Sequence, residues 1–597
     1  MKTFLAILTA VVLTACPSVL CGQTAGPAPF GERVDVNIVN VEVWVTDKDG
    51  NPVHGLQRGD FEVREDGKPV EIANFEAVRR VAEPAPSAGP QSAPAPAPKP
   101  AEKTAAVPGT EPLHLVIYVD NTFLMPAHRN RVLEQLRSFI GQLRPVDEVM
   151  LVTEDPALRV RLPLTRDRAA LARTVEEIEK AGALGSSNSS ARTQTVQAIL
   201  DIREAVRKIE GPCSTTITQP AYSYAETTRG DVLRSLGSMT VLVNALSGVP
   251  GRKALLLVSD GMPVTPGEDI FQVLAELCGG GTSGLPDAEA GGNGYDGSDS
   301  QYDARQAALD AQKYSTVKAF QAFTAHANAQ RVTLYTLQAS GLEGTASAAA
   351  DFGVNERVLQ LPSVSQVERA NLQNSMSVLA SDTGGRAILN ANDVRPDLTR
   401  IQEDFATYYS LAYSPQHNGD GRDHRIEVKL KRPGMRVRYR RSYRDKPALE
   451  RTVDRTLASL FYGYEDNPLD VQAEVGATAP TGKGSWSVPI RLRIPLFKVT
   501  MLPTEKSFEG KVRLLVATNS GTGKRSPVRQ VEVPISIPRE KALTALGQYY
   551  LYEVKLTLEP GEQHIAIAVR DEATATTSFI ARDIRVGLAD TPAPPAR

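Results

Sequence analysis

Two carboxylates stand out because each closes an almost unbroken apolar run. Asp120 follows Leu113-His114-Leu115-Val116-Ile117-Tyr118-Val119, and Asp260 follows Lys253-Ala254-Leu255-Leu256-Leu257-Val258-Ser259. A hard divalent cation needs several oxygen ligands, some of them water. Two carboxylates brought together could supply charge and orient those waters, and Thr122 adds a hydroxyl just beyond Asp120. Other chemistry is sought without success. No Gly-x-Ser-x-Gly turn offers a serine nucleophile, and the seven His are scattered, without a zinc-protease pair. Gly521-Thr522-Gly523-Lys524 lacks the upstream glycine of a phosphate loop and lies between strands, so it reads as a hairpin turn. No catalytic residue is assigned, and the chain is read as a non-enzyme.

Such short, continuous apolar runs suit strands covered on both faces, as in a parallel sheet packed by helices. Helical patterns follow or separate them, which predicts a doubly wound α/β sheet. Ligands gather at the carboxyl ends of such strands, at the topological switch point. Asp120 and Asp260 are expected side by side on that rim.

A strand ending in Asp-x-Ser-x-Ser, with a later strand ending in Thr/Ser-Asp-Gly, marks the von Willebrand factor type A domain. Here the motifs read Asp120-Asn121-Thr122-Phe123-Leu124 and Ser259-Asp260-Gly261, and the chain resembles that family. Its flanks resemble the type A-related proteins exported by acidobacteria. They match in Val53-His54-Gly55-Leu56, Asp60-Phe61-Glu62-Val63, Glu65-Asp66-Gly67-Lys68, Leu164-Thr165-Arg166-Asp167-Arg168 and Leu411-Ala412-Tyr413-Ser414-Pro415. The resemblance, over residues 33–445, implies a Rossmann-like sheet whose rim (MIDAS) holds Mg2+ or another divalent cation. It implies Asp120, Thr122 and Asp260 as ligands, with Ser187, or its neighbours Ser186 or Ser189 beside Gly185, in place of a third-loop Thr. Leu124 stands where a second hydroxyl is expected and cannot ligate, so binding in the millimolar range or weaker is expected.

The chain of 597 residues, 41% hydrophobic and 23% charged, has room for several globular domains. A net charge of −2 argues against a dedicated nucleic-acid surface. Residues 1–22 read as an export signal, too short in its apolar part to span a bilayer. Leu13-Thr14-Ala15-Cys16 resembles a lipobox, so either Cys16 is acylated or ordinary cleavage falls a few residues later. Membrane contact is expected only through such a lipid anchor, the protein being periplasmic, an outer-envelope lipoprotein or secreted. Cys213 and Cys278 then remain in a compartment that permits disulfides, and they are expected to bridge.

Alternating patterns at residues 33–80 and 408–445 each supply too few strands for a sandwich. They are expected to complete one another, with a type A domain of residues 113–407 inserted between them. Residues 82–112 form a Pro/Ala-rich linker. Low-core insertions are expected near 211–228 and 279–300. A helical connector at 446–470, a second β-sandwich at 471–588 and a disordered tail at 589–597 complete the chain. The expected function is non-covalent binding of a protein or extracellular-matrix ligand at the bacterial cell envelope. The alternatives are an envelope scaffold acting through its sandwiches with a vestigial rim and, less favoured, a hydrolase assembled from the insertions.

Overall fold

The computed structural model describes residues 38–79, 112–155, 157–182, 184–206, 215–278, 302, 304–342, 358–359, 361–482, 484–521, 525–545 and 547–587. The leader with Cys16, the linker, Cys213, the 279–300 segment and the tail lie outside the described residues.

Four strands come first: β1 (Val39–Thr46), β2 (Phe61–Glu65), β3 (Lys68–Val70) and β4 (Asn74–Arg79). The central sheet is built from β5 (Leu113–Val119), β6 (Glu148–Glu154), β7 (Leu158–Thr165), β8 (Arg252–Ser259), β9 (Val332–Gln338) and β10 (Ala387–Ile388). After it come β11 (Thr407–Tyr413), β12 (Asp423–Leu430), β13 (Arg436–Tyr439) and β14 (Ser442–Arg444).

The central sheet has the order β10-β9-β8-β5-β6-β7. All pairs are parallel except β6–β7, an antiparallel edge hairpin, so the sheet is mixed rather than all parallel. Every residue of β5 and β8 is buried, because helices cover both faces. Alternation divides the side chains. Leu115, Ile117 and Val119 face the helices Pro126–Gln142, Arg168–Lys180 and Arg395–Ala406. Val116 and Tyr118 face Gln219–Leu246, Val317–Ala329 and Pro362–Thr383. The chain leaves β5 toward β6 on one side and returns to β8 on the other, so the switch point lies between Asp120 and Asp260.

Strands from before and after this sheet pair with one another. β1 lies between β11 and β13, with Val41 opposite Leu411 and Val45 opposite Val437. β2 pairs with β12, Val63 opposite Val428. The two four-stranded sheets, β13-β1-β11-β4 and β14-β12-β2-β3, share a core that includes Val43, Phe61, Leu411 and Ile426. They meet the central sheet through Asp404, which is paired with Arg386 at 2.9 Å and Arg438 at 2.6 Å.

The Ala448–Tyr462 helix leads to the last strands, which run from Gln472 to Val586 in two further sheets around a shared core that includes Ile490, Val512 and Ile567.

Two expectations need correction. Ser186, Ser187 and Ser189 do not sit in a loop: they form the first turns of a helix, Gly185–Val206. Much of the 211–228 segment is likewise helical, because Gln219–Leu246 begins there with Ala221 and Ala225 fully buried. Composition misleads because small residues pack these helices closely: a Cβ on Gly267 would lie 2.7 Å from that of Ala225. Hydroxyls also bond back along the helix, as Thr227 does to Ser223 O at 2.9 Å, which makes Ser/Thr-rich segments compatible with helix.

Candidate functional site at the sheet rim

Asp120 is fully buried at the end of β5, and its N–H donates to Val258 O of β8 at 3.0 Å. Its Oδ1 accepts from Thr122 N (3.2 Å) and Phe123 N (3.3 Å), while Oδ2 accepts from Ser259 Oγ at 2.8 Å. Burial pushes this carboxyl up to about 7, helped by nearby Glu154 and opposed by the Ser259 and backbone bonds. Glu154 ends β6, so a third strand also closes in a carboxylate. It accepts from Tyr118 OH at 2.6 Å, while its Oε1 is buried without a partner.

Asp260 ends β8. Its Oδ2 accepts from Met125 N at 2.9 Å and faces His128 Nδ1 at 2.9 Å. Its Oδ1 is buried with no hydrogen-bond partner among the described residues, and so is Thr122 Oγ1. Buried oxygens without partners are uncommon and costly.

Other residues position this rim. Arg129, 1% exposed, donates to the carbonyls of Glu179 (3.0 Å), Ala181 (2.7 Å) and Gly182 (3.3 Å) and to Asn121 Oδ1 (3.2 Å). It thereby fastens the C-terminus of the Arg168–Lys180 helix to the loop after β5. Leu184 N donates to Asn121 O at 2.7 Å, and a Cβ on Gly185 would lie 2.4 Å from Leu124 O, so only glycine allows this approach.

The structure thus brings Asp120, Thr122 and Asp260 to one rim, but not Ser187, whose side chain is exposed. Asn188 and Ser189 instead line the cavity of about 370 Å³ beside Asp260 and His128. Asn188 Nδ2 donates to Thr122 O at 2.7 Å. Leu124 is fully buried among Val119, Leu133 and Leu136, so its side chain points into the core and a hydroxyl there would not reach the rim. The sequence reading overlooked His128 and Glu154. Glu154 had a signal: the apolar run Val149 to Val152 ends in Thr153-Glu154, the pattern that singled out Asp120. Cys278 is disulfide-bonded; Cys213, its expected partner, lies outside the described residues.

Among the described residues, His and carboxylate groups come close enough for an ion elsewhere: Glu65 with His417 and His424, and His417 with Asp420 and Asp445. The two imidazoles stack in near-parallel planes, 3.8 Å apart and 11° inclined. A metal binds in the plane of each ring, and two parallel planes so far apart cannot share one ion, which weighs against the first group; the second has a single imidazole. His424, facing Asp66 through Nδ1 and Asp420 through Nε2, is held more strongly as the imidazolium.

No family model matches the chain, and no curated protein matches it. Solved structures offer distant likenesses. An aerotolerance-related membrane protein from Bacteroides fragilis is 9% identical, over 49% of this chain and 98% of that one, with a TM-score of 0.22. A von Willebrand factor type A protein from Catenulispora acidiphila is 10% identical, over 80% and 66%, with a TM-score of 0.19. Three N-terminal domains of the type V pili tip protein Mfa5 from Porphyromonas gingivalis are 11% identical, over 64% and 68%, with a TM-score of 0.22. Likeness at these scores carries no functional argument.

Proposed function

We propose that this protein binds a protein or matrix partner non-covalently through the rim of its six-stranded sheet, as an exported type A domain protein of the bacterial cell envelope. The reading rests on one observation: Thr122 Oγ1 and Asp260 Oδ1 are buried and unpartnered beside Asp120, at the carboxyl ends of adjacent strands. These oxygens fit a hard cation. Asp120, Thr122 and Asp260 would hold Mg2+ or another divalent ion, which would offer a coordination position to a partner's carboxylate. The chain's own residues orient the donors: Ser259 and the backbone fix Asp120, and Met125 N fixes Asp260.

In the same reading, the type A domain is inserted between the two halves of one β-sandwich. Residues 1–22 direct export, with Cys16 either a lipid acceptor or part of a cleaved leader, and Cys213 is the bridge partner of Cys278. No described helix is long and apolar enough to cross a membrane.

Calorimetric titration of the full chain with MgCl2 is expected to give weak heat that Asp260→Ala abolishes. A partner captured from envelope extract is expected to be released by chelator. Heat that persists in Asp260→Ala would place the ion elsewhere. The second reading, a scaffold with a vestigial rim, is favoured by His128 and Met125 N holding Asp260 Oδ2 and by Leu124 in the core. It predicts no heat, and capture that survives chelator.

A further inference from the structure

The opposite end of the same sheet carries a cavity with the reverse charge. Arg252 and Lys253 open β8, Arg331 stands just before β9, and Arg440 lies between β13 and β14. All four line a cavity of about 290 Å³ between the central sheet and the first pair of sheets, together with Glu42 and Trp44 of β1. Its size is near the lower end of cavities that hold small ligands.

Glu42 is the one carboxylate among the lining residues, and it is already engaged. Its Oε2 lies 3.0 Å from Arg252 Nε, and the Arg252 guanidinium also packs 4.6 Å from the Tyr408 ring centre. The other three cations have no carboxylate partner among the described residues. Lys253 Nζ donates only to the carbonyl oxygens of Ser247 (3.2 Å) and Val249 (3.1 Å). Arg440 donates from Nη2 to Asn40 O, and its Nε is buried without a partner. The Arg331 side chain has no hydrogen bond or ion pair among the described residues. Nearby Lys446 is paired with Asp454 and does not line the cavity, though both act on Lys253 from a distance, Lys446 lowering and Asp454 raising its affinity for the proton.

We propose that this cavity is an anion site that takes a phosphate group, free or carried on a small molecule. A polar cavity walled by partly buried, unpaired cations is costly unless an anion enters it. Guanidinium groups present planar pairs of donors that match phosphate oxygens, and a lysine adds a compact point charge. A dianion answers this surplus better than a single carboxylate. The surplus also marks the residues already present: burial, then Arg331 and Lys446, push Lys253 down to about 7. Burial and Arg331 likewise push Arg440 down to about 10. An entering phosphate would raise both, so its binding near pH 7.5 should draw a proton onto Lys253. The site joins the central sheet to β1, so occupancy should stabilise the junction of the two.

The test uses the full-length protein at constant ionic strength, with inorganic phosphate replacing chloride. Phosphate is expected to raise the unfolding temperature and change the fluorescence of Trp44. Arg331→Gln should weaken this response at least tenfold; that side chain is exposed and unpaired, so its loss leaves the fold intact. Arg440→Gln should do the same, and Asp260→Ala at the far rim should not. Binding heats in two buffers of different ionisation enthalpy should show proton uptake that Lys253→Met removes. Tighter binding of glycerol phosphate would assign a phosphorylated small molecule, and equal binding free phosphate. Equal responses to phosphate and chloride, or an unaltered response in both Arg331→Gln and Arg440→Gln, would overturn the proposal.

Discussion

The two ends of the central sheet bury charge of opposite sign, and in both places the charge is pushed toward neutrality. At the carboxyl ends, Asp120 is raised to about 7 by burial and by Glu154. At the amino ends, Lys253 is lowered to about 7 by burial and by neighbouring cations. Desolvation acts alike on both, and like charge adds to it. The difference lies in how the neighbouring groups are satisfied. The rim binds its cation Arg129 to three carbonyls and an amide oxygen, whereas the cavity at the foot leaves Arg331 and the Arg440 Nε with none. A buried cation with all its partners belongs to the architecture, whereas groups without them, Thr122 Oγ1 and Asp260 Oδ1 at the rim and Arg440 Nε at the foot, point to a ligand.

The sharpest way to break this comparison is to delete one cation at each end. Arg129→Ala is expected to lose about 3–5 kcal/mol in urea unfolding, because it strands buried carbonyls and the Asn121 amide. Arg331→Gln is expected to stay within about 0.5 kcal/mol of wild type or to gain, since it removes like-charge repulsion at an exposed position. Similar losses at both positions would show that Arg331 is held by contacts as Arg129 is.

Titration separates the ends without changing the fold. The folded chain holds the Asp120 proton more tightly than the unfolded chain, whose ordinary value is 3.8. Stability from this group is therefore complete below about pH 4 and falls as pH rises to about 7, by up to about 1.4 kcal/mol per unit. Lys253 has the reverse sign: the unfolded chain binds its proton more tightly between about 7 and 10.5, so stability rises with pH across that window. Unfolding free energies of wild type minus Asp120→Asn should isolate the acid limb, and wild type minus Lys253→Met the alkaline one. Mg2+ should flatten only the first limb and phosphate only the second. One ligand flattening both limbs would mean that the two ends are not independent.

The rim was legible from sequence because burial leaves a plain trace there: apolar runs cut off by Asp120 and Asp260. The foot was not: Lys253 merely opens the apolar run before Asp260, and nothing local in the sequence joins it to Arg331 or Arg440. Only pairing with β1 brings Glu42, Arg331 and Arg440 around one cavity, and that pairing spans hundreds of residues. The pattern at residues 33–80 and 408–445 did anticipate that these strands need partners, and β1 with β11 and β2 with β12 are such pairs. Leu124 shows the limit of motif spacing. Its place in the motif says where a hydroxyl would fall, whereas its side chain packs beneath the rim among Val119 and Leu133. The helical patterns from about Thr193 to Ile209 and from Val232 to Leu246 were legible, but the first turns, from Gly185 and from Gln219, were not, because Ala, Ser and Thr carry too little apolar contrast to show a helical period.

The smallest expected effect concerns a third set of charges, matched to one another rather than to backbone or ligand. His424 faces Asp66 Oδ2 through Nδ1 at 2.9 Å and Asp420 through Nε2 at 3.2 Å. Only an imidazolium can donate at both nitrogens. Burial lowers its affinity for the proton, but the bonds to Asp66 and Asp420 outweigh burial and raise it above the ordinary 6.5. The resulting stability is present below pH 6.5 while both carboxylates remain ionised, and it fades as pH rises through the raised value. His424→Gln should therefore cost about 1 kcal/mol in that acid window, a modest figure because solvent screens Asp66 and Asp420. The cost should shrink at alkaline pH. His417 stacks on this ring and faces Asp445 at 2.7 Å, and rings so nearly parallel cannot both bind one ion in their planes. Added Zn2+ should accordingly leave the unfolding temperature almost unchanged. A large rise that disappears in His417→Ala would show that an ion binds here, through His417, Asp420 and Asp445 if it survives His424→Ala and through both turned rings if it does not.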